Sequence, residues 1–428
     1  MKYAKKRIVT ACLGVVLAVA TVVGGSTFAY LQSESEDVVN EFKTNQVSVS
    51  LSETSGSSYQ IIPGTSQTKN PTVTLNNTVD AYVYVYVDDN TDNLVDYDIA
   101  DGWELLDGYD SVYYREVLKD DQTKSFSVLQ GDKVSYDSSL TNEDMLDAAD
   151  ALKQGLTLTF TAYASQKAPF NDPVAACPLT SASDLADAIE QAEPGDVLDV
   201  AGEVSEPLDI DKSVTINNLK ATAPVTVSAD GVVLNKAELS ANEPSTPAVT
   251  VPATVTDFTM TDSVIEADTG SAGAHTAVNI AAGGDIVFTG NTVTNYTYNG
   301  IEFSQSKAVG SVTISGNHFV NCGNNAVSIY LVEDGAEITI EKNEFINVSN
   351  AVRLSNYSGA SATFNIYDNV ANTDNMWNKV FVLLQGVSGR SNDFTKYTIN
   401  FKGNTMDEGG VYTYVYDADT EPIVNILD

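Results

Sequence analysis

Side chains with the chemistry for catalysis are few in this chain, and their spacing assembles no recognisable centre. His275 and His318 are its only histidines, and neither belongs to an HExxH pattern that would bind zinc. The Asp-Asp pairs at residues 88–89 and 120–121 lie in the first half of the chain, and residues 372–374 read Asn-Thr-Asp, a match short enough to arise by chance. We interpret both histidines as surface residues. The sequence thus predicts no catalytic residues, no metal site and no enzymatic activity.

Acidic and aromatic side chains indicate binding instead. The acidic stretch at residues 88–92 leaves weak Ca²⁺ binding open, but it is no dense ligand loop, so we favour a solvated loop and predict no cofactor. Two rows of alternating tyrosines occur, one of Tyr82, Tyr84 and Tyr86 and one of Tyr412, Tyr414 and Tyr416. Aromatic rows can stack on sugar rings, and ordinary strand propensity is the alternative. The second row holds the candidates for glycan stacking.

The elements that would position these residues are set by an asparagine repeat. Most members are 26 residues apart, and the last follows after 35: Asn291, Asn317, Asn343, Asn369 and Asn404. Each follows a run of alternating apolar and small or polar residues, which is typical of a strand with one buried face. A fixed period of this length without a helical pattern indicates a parallel β-helix, one repeat per coil. We expect this structural column to hydrogen-bond between coils and to adopt left-handed backbone at a sharp corner. A second column follows at Asn295, Asn321 and Asn347.

Short strands without a repeat precede this region. They fill residues 30–166 and suggest a jelly-roll-like β-sandwich. Residues 167–178 contain three prolines and form the predicted linker. Residues 181–192 carry a capping-box pattern and one apolar face, so we expect a short helix over the open end of the β-helix. The predicted fold is therefore all-β, with an N-terminal β-sandwich followed at residues 179–428 by a right-handed parallel β-helix with an N-terminal capping helix.

The N-terminus reads as a secretory signal peptide over residues 1–29. Four cations precede the apolar run of residues 8–23, and small residues precede the predicted cleavage between Ala29 and Tyr30. A retained anchor is the alternative, but the run is short for a span. The formal charge of −36 argues against nucleic acid and anionic membranes as partners. We expect no membrane contact after removal of the signal peptide.

Residues 1–170 resemble the TasA/camelysin family of secreted Gram-positive proteins. The similarity lies in GGSTFAY followed by VVNEFKTNQVSVSLSE, in KNPTVTLNNTVDAYVYV and in LTLTFTAYASQ. It implies a SipW-type signal peptide, export to the cell surface and, for some members, assembly into biofilm fibres. Camelysin-like relatives were described as metalloproteases, but the missing zinc spacing means that this activity is not carried over.

Residues 178–428 resemble the pectate-lyase-like right-handed β-helices. Polysaccharide lyases on this scaffold resemble each other in clustered acids for Ca²⁺ and an Arg or Lys base, and galacturonan hydrolases share Asn-Thr-Asp, Asp-Asp, Gly-His-Gly and Arg-Ile-Lys motifs. The repeat region holds only the first of these four motifs and two arginines, Arg353 and Arg390. We therefore predict a secreted cell-surface or biofilm-matrix protein with a structural or adhesive, glycan-binding role. A carbohydrate-active enzyme on the β-helix is the alternative. The expected partners are surface or matrix polysaccharide and fibre-forming matrix proteins.

Overall fold

The computed structural model describes residues 46–427 except residues 92, 142–155, 241–244, 268–274, 373–379 and 419. Residues from Gln46 onward form one compact unit. The predicted signal peptide and its cleavage pair, Ala29 and Tyr30, lie outside the described residues. No helix in the described part of the chain has the length and apolar character to cross a membrane.

The first part of this unit is built from short antiparallel strands. Their bounds are β1 (Val47–Ser52), β2 (Ser66–Thr68), β3 (Thr72–Asn77), β4 (Ala81–Asn90), β5 (Glu104–Leu105), β6 (Val112–Val117), β7 (Ser125–Ser127), β8 (Lys133–Ser135) and β9 (Thr157–Gln166). One sheet has the order β1-β3-β7, a second the order β5-β6-β4-β9, and β2 pairs with β8. Val83 and Val85 of β4 and Val73 of β3 are fully buried in the core between the two sheets. Period-2 alternation thus produces the predicted sandwich.

The second part winds as a β-helix. Its strands are β10 (Thr180–Ser181), β11 (Val197–Ala201), β12 (Glu203–Val204), β13 (Leu208–Ile210), β14 (Thr215–Asn217), β15 (Lys220–Ala221), β16 (Val225–Val227), β17 (Val232–Asn235), β18 (Glu238–Leu239), β19 (Val249–Val251), β20 (Asp257–Thr261), β21 (Val264–Glu266), β22 (Thr276–Ile280), β23 (Asp285–Thr289), β24 (Thr292–Thr294), β25 (Asn299–Phe303), β26 (Val309–Ser315), β27 (His318–Val320), β28 (Asn325–Ile329), β29 (Val332–Glu341), β30 (Glu344–Ile346), β31 (Asn350–Leu354), β32 (Ala362–Tyr367), β33 (Val370–Ala371), β34 (Val380–Gln385), β35 (Tyr397–Lys402), β36 (Thr405–Met406), β37 (Val411–Tyr416) and β38 (Ile423–Leu427). Every third strand joins the same parallel sheet. Sheet 1 runs from β10 and β11 to β38, sheet 2 from β12 to β36, and sheet 3 from β13 to β37.

The apolar columns explain why the coils stack in this register. Ile286 pairs with Val312, Val312 with Ile338, and Ile338 with Phe364 in sheet 1, so each residue lies above its equivalent in the previous coil. All four are at most 1% exposed. Stacking identical positions therefore fills the interior with one continuous apolar core. The predicted all-β class, with a sandwich followed by a capped β-helix, is confirmed.

A single α-helix in the described residues, α1 (Leu185–Gln191), lies at the start of the β-helix. Leu185 and Ile189 are 0% and 1% exposed and belong to the core cluster of the β-helix. The capping-box prediction is wrong in detail, because Ser181 precedes a 3-10 turn and its hydroxyl bonds to the carbonyl of Gly108 instead of a helical N–H.

The predicted linker and the first tyrosine row lie where the sandwich meets the β-helix. Tyr82, Tyr84 and Tyr86 are buried in one apolar cluster with Leu179 and Ala201. The hydroxyl of Tyr84 donates to the carbonyl of Pro173 at 2.7 Å, and Lys220 of the β-helix pairs with Asp88 of β4. This row is therefore packed inside the protein, as strand propensity suggests, and Asp88 is part of an ion pair.

Candidate functional site

The predicted asparagine column lies along the corner between sheets 1 and 2. Asn317 illustrates the geometry. Its Nδ2 donates to the carbonyl of Phe288 at 2.9 Å and to Oδ1 of Asn343 at 2.9 Å, while its Oδ1 accepts from the backbone N–H and the Nδ2 of Asn291 at 2.8 and 3.1 Å. An amide has two donor hydrogens and two acceptor positions, and all four are used here. Asn369 continues the pattern to Asn404. The column is a hydrogen-bonded ladder, whose energetic contribution stays a prediction.

The left-handed backbone lies one residue before this column, so that part of the prediction is wrong. The positive φ angles belong to Gly290, Gly316, Lys342, Asp368 and Gly403. The column asparagine cannot take that position because its own N–H must point at the next amide oxygen. The second column does adopt positive φ: 68° at Asn295, 55° at Asn321 and 52° at Asn347. Asparagine tolerates that conformation better than most residues.

The candidates for glycan stacking do not share one face. Tyr412 packs against the core, with its ring centroid 4.7 Å from that of Phe401. Tyr414 and Tyr416 are 40% and 47% exposed and lie on the outer face of sheet 3. Tyr412 follows Val411, which pairs with Val380, so it continues the inward column that holds buried Phe381, whereas Tyr414 pairs with Leu383 on the outward side.

The outer face of sheet 3 holds a row of unlike residues. Successive coils place there Asn279, Glu302, Ser328, Arg353, Leu383 and Tyr414. At one coil per ~4.8 Å, the row runs ~24 Å across the strands. Asn279, Glu302 and Tyr414 reach solvent, whereas Ser328, Leu383 and Arg353 are buried, so the row offers an extended ligand separate points of contact.

Two arginines and two tyrosines form what we call the Arg–Tyr cluster at the end of this face: Arg353, Tyr330, Tyr357 and Arg390. The guanidinium of Arg353 lies 4.4 Å from the ring centroid of Tyr330, and the rings of Tyr330 and Tyr357 are 5.5 Å apart. The guanidinium of Arg390 lies 5.1 Å from the ring of Tyr357. Cation–π contacts thus hold both arginines of the repeat region in one continuous stack.

Arg353 is a nearly buried cation, with 7% exposure. Its Nε donates to Oε1 of Gln385 at 2.7 Å, and its Nη1 lies 3.4 Å from Oγ of Ser328. Among the described residues, no carboxylate lies within salt-bridge distance of its guanidinium. Burial raises the pKa of Tyr330, although Arg353 and a hydrogen bond from Ser328 act in the opposite direction. Tyr330 therefore stays protonated at neutral pH.

Glu302 supplies the acidic group of the row. A ladder of buried asparagines ends on it: Asn350 donates to Asn325, Asn325 donates to Asn299, and Asn299 donates to the carboxylate of Glu302. The ladder fixes the orientation of this carboxylate, which lies two coils from Arg353. A positioned carboxylate, a proton donor and a cation are groups that general acid–base chemistry uses.

The remaining predicted groups lie elsewhere. His275 is exposed and stacks on Tyr298 at 4.3 Å, and exposed His318 bonds to Glu344 at 2.8 Å. The Asn-Thr-Asp match at residues 372–374 lies mostly outside the described residues. Among the residues that the structure does describe, no three His, Cys, Asp or Glu side chains are grouped to hold a metal.

Sequence reasoning noted both arginines but did not bring them together. A usable signal existed, because Ser328 and Arg353 are 25 residues apart and Tyr330 and Tyr357 are 27 apart, so both spacings lie within one residue of the repeat. The cation–π stack itself depends on turns after the strands of sheet 3, whose course the repeat does not specify.

Solved structures similar to this chain are polysaccharide-degrading enzymes. An alginate lyase from Paenibacillus sp. str. FPU-7 has 14% identity and a TM-score of 0.36, covering 57% of this chain and 97% of the lyase. A GH87 α-1,3-glucanase catalytic domain in complex with nigerose has 9% identity and a TM-score of 0.29, covering 89% and 98%. The same kind of domain in complex with tetrasaccharides has 10% identity and a TM-score of 0.29, with the same coverage. These likenesses concern the fold alone.

The prediction that the chain is not an enzyme is contradicted by this comparison, because the similar structures are an alginate lyase and an α-1,3-glucanase. No curated protein matches the sequence. The nature of any reaction has to come from this chain's own residues. Residues 245–425 match the family model described as right handed beta helix region, so this part of the chain is a right-handed β-helix of the kind that the sequence predicted.

Proposed function

We propose that the protein binds an acidic polysaccharide along the outer face of sheet 3 and cleaves it there as a lyase. The observation that carries this proposal is the Arg–Tyr cluster, in which both arginines of the repeat region stack on tyrosines at one face. Guanidinium groups pair with carboxylates in a planar, two-point geometry, and tyrosine rings pack on sugar faces. A uronic acid polymer offers both a carboxylate and a sugar face on every residue.

The long-range charge of the protein opposes such a ligand, since the chain carries a formal charge of −36. Salt at physiological strength screens exposed charges beyond about 8 Å, whereas guanidinium–carboxylate contacts act at hydrogen-bond distance. Recognition therefore rests on direct contact at Arg390, which is exposed, and on the field of the buried Arg353.

Each step of an elimination has a candidate group at this face. The arginines neutralise the uronate carboxylate, which makes the adjacent C5 proton more acidic. Glu302 takes that proton, the C4–O bond breaks, and a C4=C5 double bond forms. Tyr330, which is protonated at neutral pH, donates a proton to the departing oxygen, and the Arg353 guanidinium beside its ring stabilises the phenolate that remains.

A hydrolase is a weaker match to the described residues. Glycoside hydrolysis generally uses two carboxyl groups about 5–9.5 Å apart. The outward row holds Glu302 and, four coils earlier, Asp209, and at ~4.8 Å per coil these two carboxylates are too far apart for that mechanism.

The test is an assay of the secreted protein on alginate, polygalacturonate and a neutral α-1,3-glucan, following unsaturated uronate absorbance and reducing ends in parallel. We expect unsaturated product from a uronate polymer alone. Arg390→Gln should raise KM about ten- to hundredfold, since a charged hydrogen bond contributes about 1.5–3 kcal/mol. Glu302→Gln and Tyr330→Phe should lower kcat by about 10²–10⁴-fold.

Lys342→Gln is the matched control, because it removes a lysine charge whose side chain is 63% exposed and lies at the corner between sheets 1 and 2. It should leave both kinetic constants unchanged. New reducing ends without unsaturated product would identify hydrolysis and overturn the lyase proposal. Absence of any product from all three polymers would overturn the catalytic proposal altogether.

We also propose that the protein is exported to the surface or matrix of a Gram-positive bacterium and meets fibre-forming matrix proteins there. Support comes from the signal-like N-terminus and from the TasA/camelysin resemblance of residues 1–170. N-terminal sequencing of protein from the culture medium should begin at Tyr30. Protein retained in the cell with an intact Met1 would contradict this proposal.

A further inference from the structure

The lysines that lie largely out of contact with water are paired with carboxylates. Lys69, which is 7% exposed, has its Nζ 3.2 Å from Oε2 of Glu53. Lys220 contacts Asp88, and its Nζ also lies 3.3 Å from Oε2 of Glu238. This is the usual arrangement, because removing a charge from water is costly unless an opposite charge lies beside it.

The arginines depart from this arrangement. Three arginines follow the predicted signal peptide, and each places its guanidinium against an aromatic ring: Arg115, Arg353 and Arg390. Within the described ranges, none of the three lies within salt-bridge distance of a carboxylate. The chain has 58 acidic residues, so a shortage of carboxylates does not explain this. Arg353 and Arg390 belong to the Arg–Tyr cluster, whereas Arg115 lies on β6 of the sandwich.

Arg115 enters a box of aromatic side chains between the two sheets of the sandwich. It pairs with fully buried Val83 on the neighbouring strand, so its side chain starts on the core side of its sheet. The guanidinium lies 4.1 Å from the ring centroid of Phe126 and 5.0 Å from that of Trp103. The indole N–H of Trp103 donates to the carbonyl of Ser127 at 2.8 Å, which ties this Arg115 box to the second sheet.

The guanidinium comes to the surface beside Gly102. A Cβ atom on this exposed glycine would lie 2.0 Å from Nη2 of Arg115, so any other residue here would displace the guanidinium. Nη2 lies 3.4 Å from the carbonyl oxygen of Asp101, a long hydrogen bond. A guanidinium has five N–H donors. Most of this donor capacity is therefore left for an acceptor outside the protein.

The environment of Arg115 favours an anionic ligand. Burial lowers the pKa of Arg115, as expected for a cation that loses contact with water. A carboxylate that enters the Arg115 box replaces the lost water with two parallel, charge-assisted hydrogen bonds. The rings of Phe126 and Trp103 already hold the plane of the guanidinium, so less side-chain freedom is lost when the ligand binds.

We propose that the Arg115 box binds a carboxylate of an acidic polysaccharide, as a second attachment point in addition to the outer face of sheet 3. The identity of the polymer rests on the proposed function, whereas the carboxylate chemistry follows from Arg115 and its surroundings. A uronate polymer repeats its carboxylate on every sugar, so a chain that is held at one site still offers carboxylates to the other.

Trp103 provides a direct readout of this box. The chain has two tryptophans, so Trp377→Phe leaves Trp103 as the only one. In that full-length background, oligogalacturonate or oligoalginate should change the Trp103 emission in a saturable way, and a neutral α-1,3-glucan oligomer should not. Arg115→Gln should weaken this binding about ten- to hundredfold, because a hydrogen bond to a charged group is lost. Lys119→Gln is the control, since it removes an exposed lysine of the same sandwich, and it should leave the titration unchanged.

Arg115→Lys covers the case in which Arg115→Gln does not fold. It keeps the charge and loses the planar two-point contact, so binding should still weaken, by about tenfold. A Trp103 emission that neither uronate oligomer changes, or a change that survives both Arg115 substitutions, would overturn the proposal. Failure of the proposed function gives a different result, namely no unsaturated product while the Trp103 titration persists. Arg390→Gln should accordingly leave that titration unchanged.

Discussion

The corner between sheets 1 and 2 and the outer face of sheet 3 lie on the same coils but differ in whether equivalent positions hold the same residue. The corner repeats one residue, since Asn291, Asn317 and Asn343 occupy equivalent positions with equivalent hydrogen bonds. The outer face repeats none, with Glu302, Ser328 and Arg353 on successive coils. Stacking favours identical residues where a side chain bonds only to its equivalents in the neighbouring coils. A face that meets solvent or a ligand is released from that requirement, and the outer side of sheet 2 varies too, from Thr292 to His318 to Glu344, so variation alone does not mark a functional surface.

The substitution for which we expect the largest effect is Asn343→Ala, at the corner. The side-chain amide is 1% exposed, and its removal leaves buried partners in both neighbouring coils without their bonds. We expect a loss of about 1–3 kcal/mol in unfolding free energy with polysaccharide turnover unchanged. Thermal and urea unfolding give the first quantity. A variant with unchanged stability and lost turnover would reverse the roles assigned to corner and face.

The interior should also respond to alkaline pH. Burial raises the pKa of Cys322 from its ordinary 9.0 to about 12. Below pH 9 the thiol is protonated in both states and stability is independent of it. Between pH 9 and 12 the unfolded chain releases this proton while the folded chain retains it, so stability falls by up to about 1.4 kcal/mol per pH unit. Urea midpoints at several pH values should show a shallower fall in Cys322→Ala than in the wild type, and parallel curves would contradict the assignment.

Tyr414→Ala tests the outer face of sheet 3, where we propose that the ligand binds. Tyr414 is 40% exposed and lies two coils beyond Arg353 in the outward row. Loss of one ring contact should weaken binding of long oligosaccharides by about 0.5–1.5 kcal/mol and leave disaccharide binding unchanged. Calorimetric titration with oligosaccharides of increasing length measures this. Tyr412→Phe is the control, since Tyr412 packs against the core and its ring is kept.

The smallest effect is expected at His318, on the outer side of sheet 2. Its bond to Glu344 joins two side chains that are 56% and 41% exposed. Exposed pairs contribute about 0–1 kcal/mol, so His318→Gln should change neither the melting temperature nor turnover appreciably. A large loss of either would show that sheet 2, too, carries a functional face.

The amino-acid sequence alone determined that the second part of the chain winds into a β-helix. The 26-residue spacing of Asn317 and Asn343 and the alternation around them are local and periodic, and the same interaction recurs on every turn. Such a pattern leaves few other ways to bury its apolar residues. The sequence also separated the sandwich from the repeat, because one alternates without a period and the other has one.

Tertiary structure alone decided which residues outside the repeating columns contact one another. Tyr330, Tyr357 and Arg390 follow the strands of sheet 3 on turns of unequal length, so their stack with Arg353 depends on how each turn folds back. The same holds for Tyr412, which packs against the core while Tyr414 faces outward. Contacts between equivalent positions of the coils follow from the spacing of residues in the sequence, whereas contacts between turns depend on the three-dimensional path of the chain. The candidate site of this protein is made of contacts of the second kind.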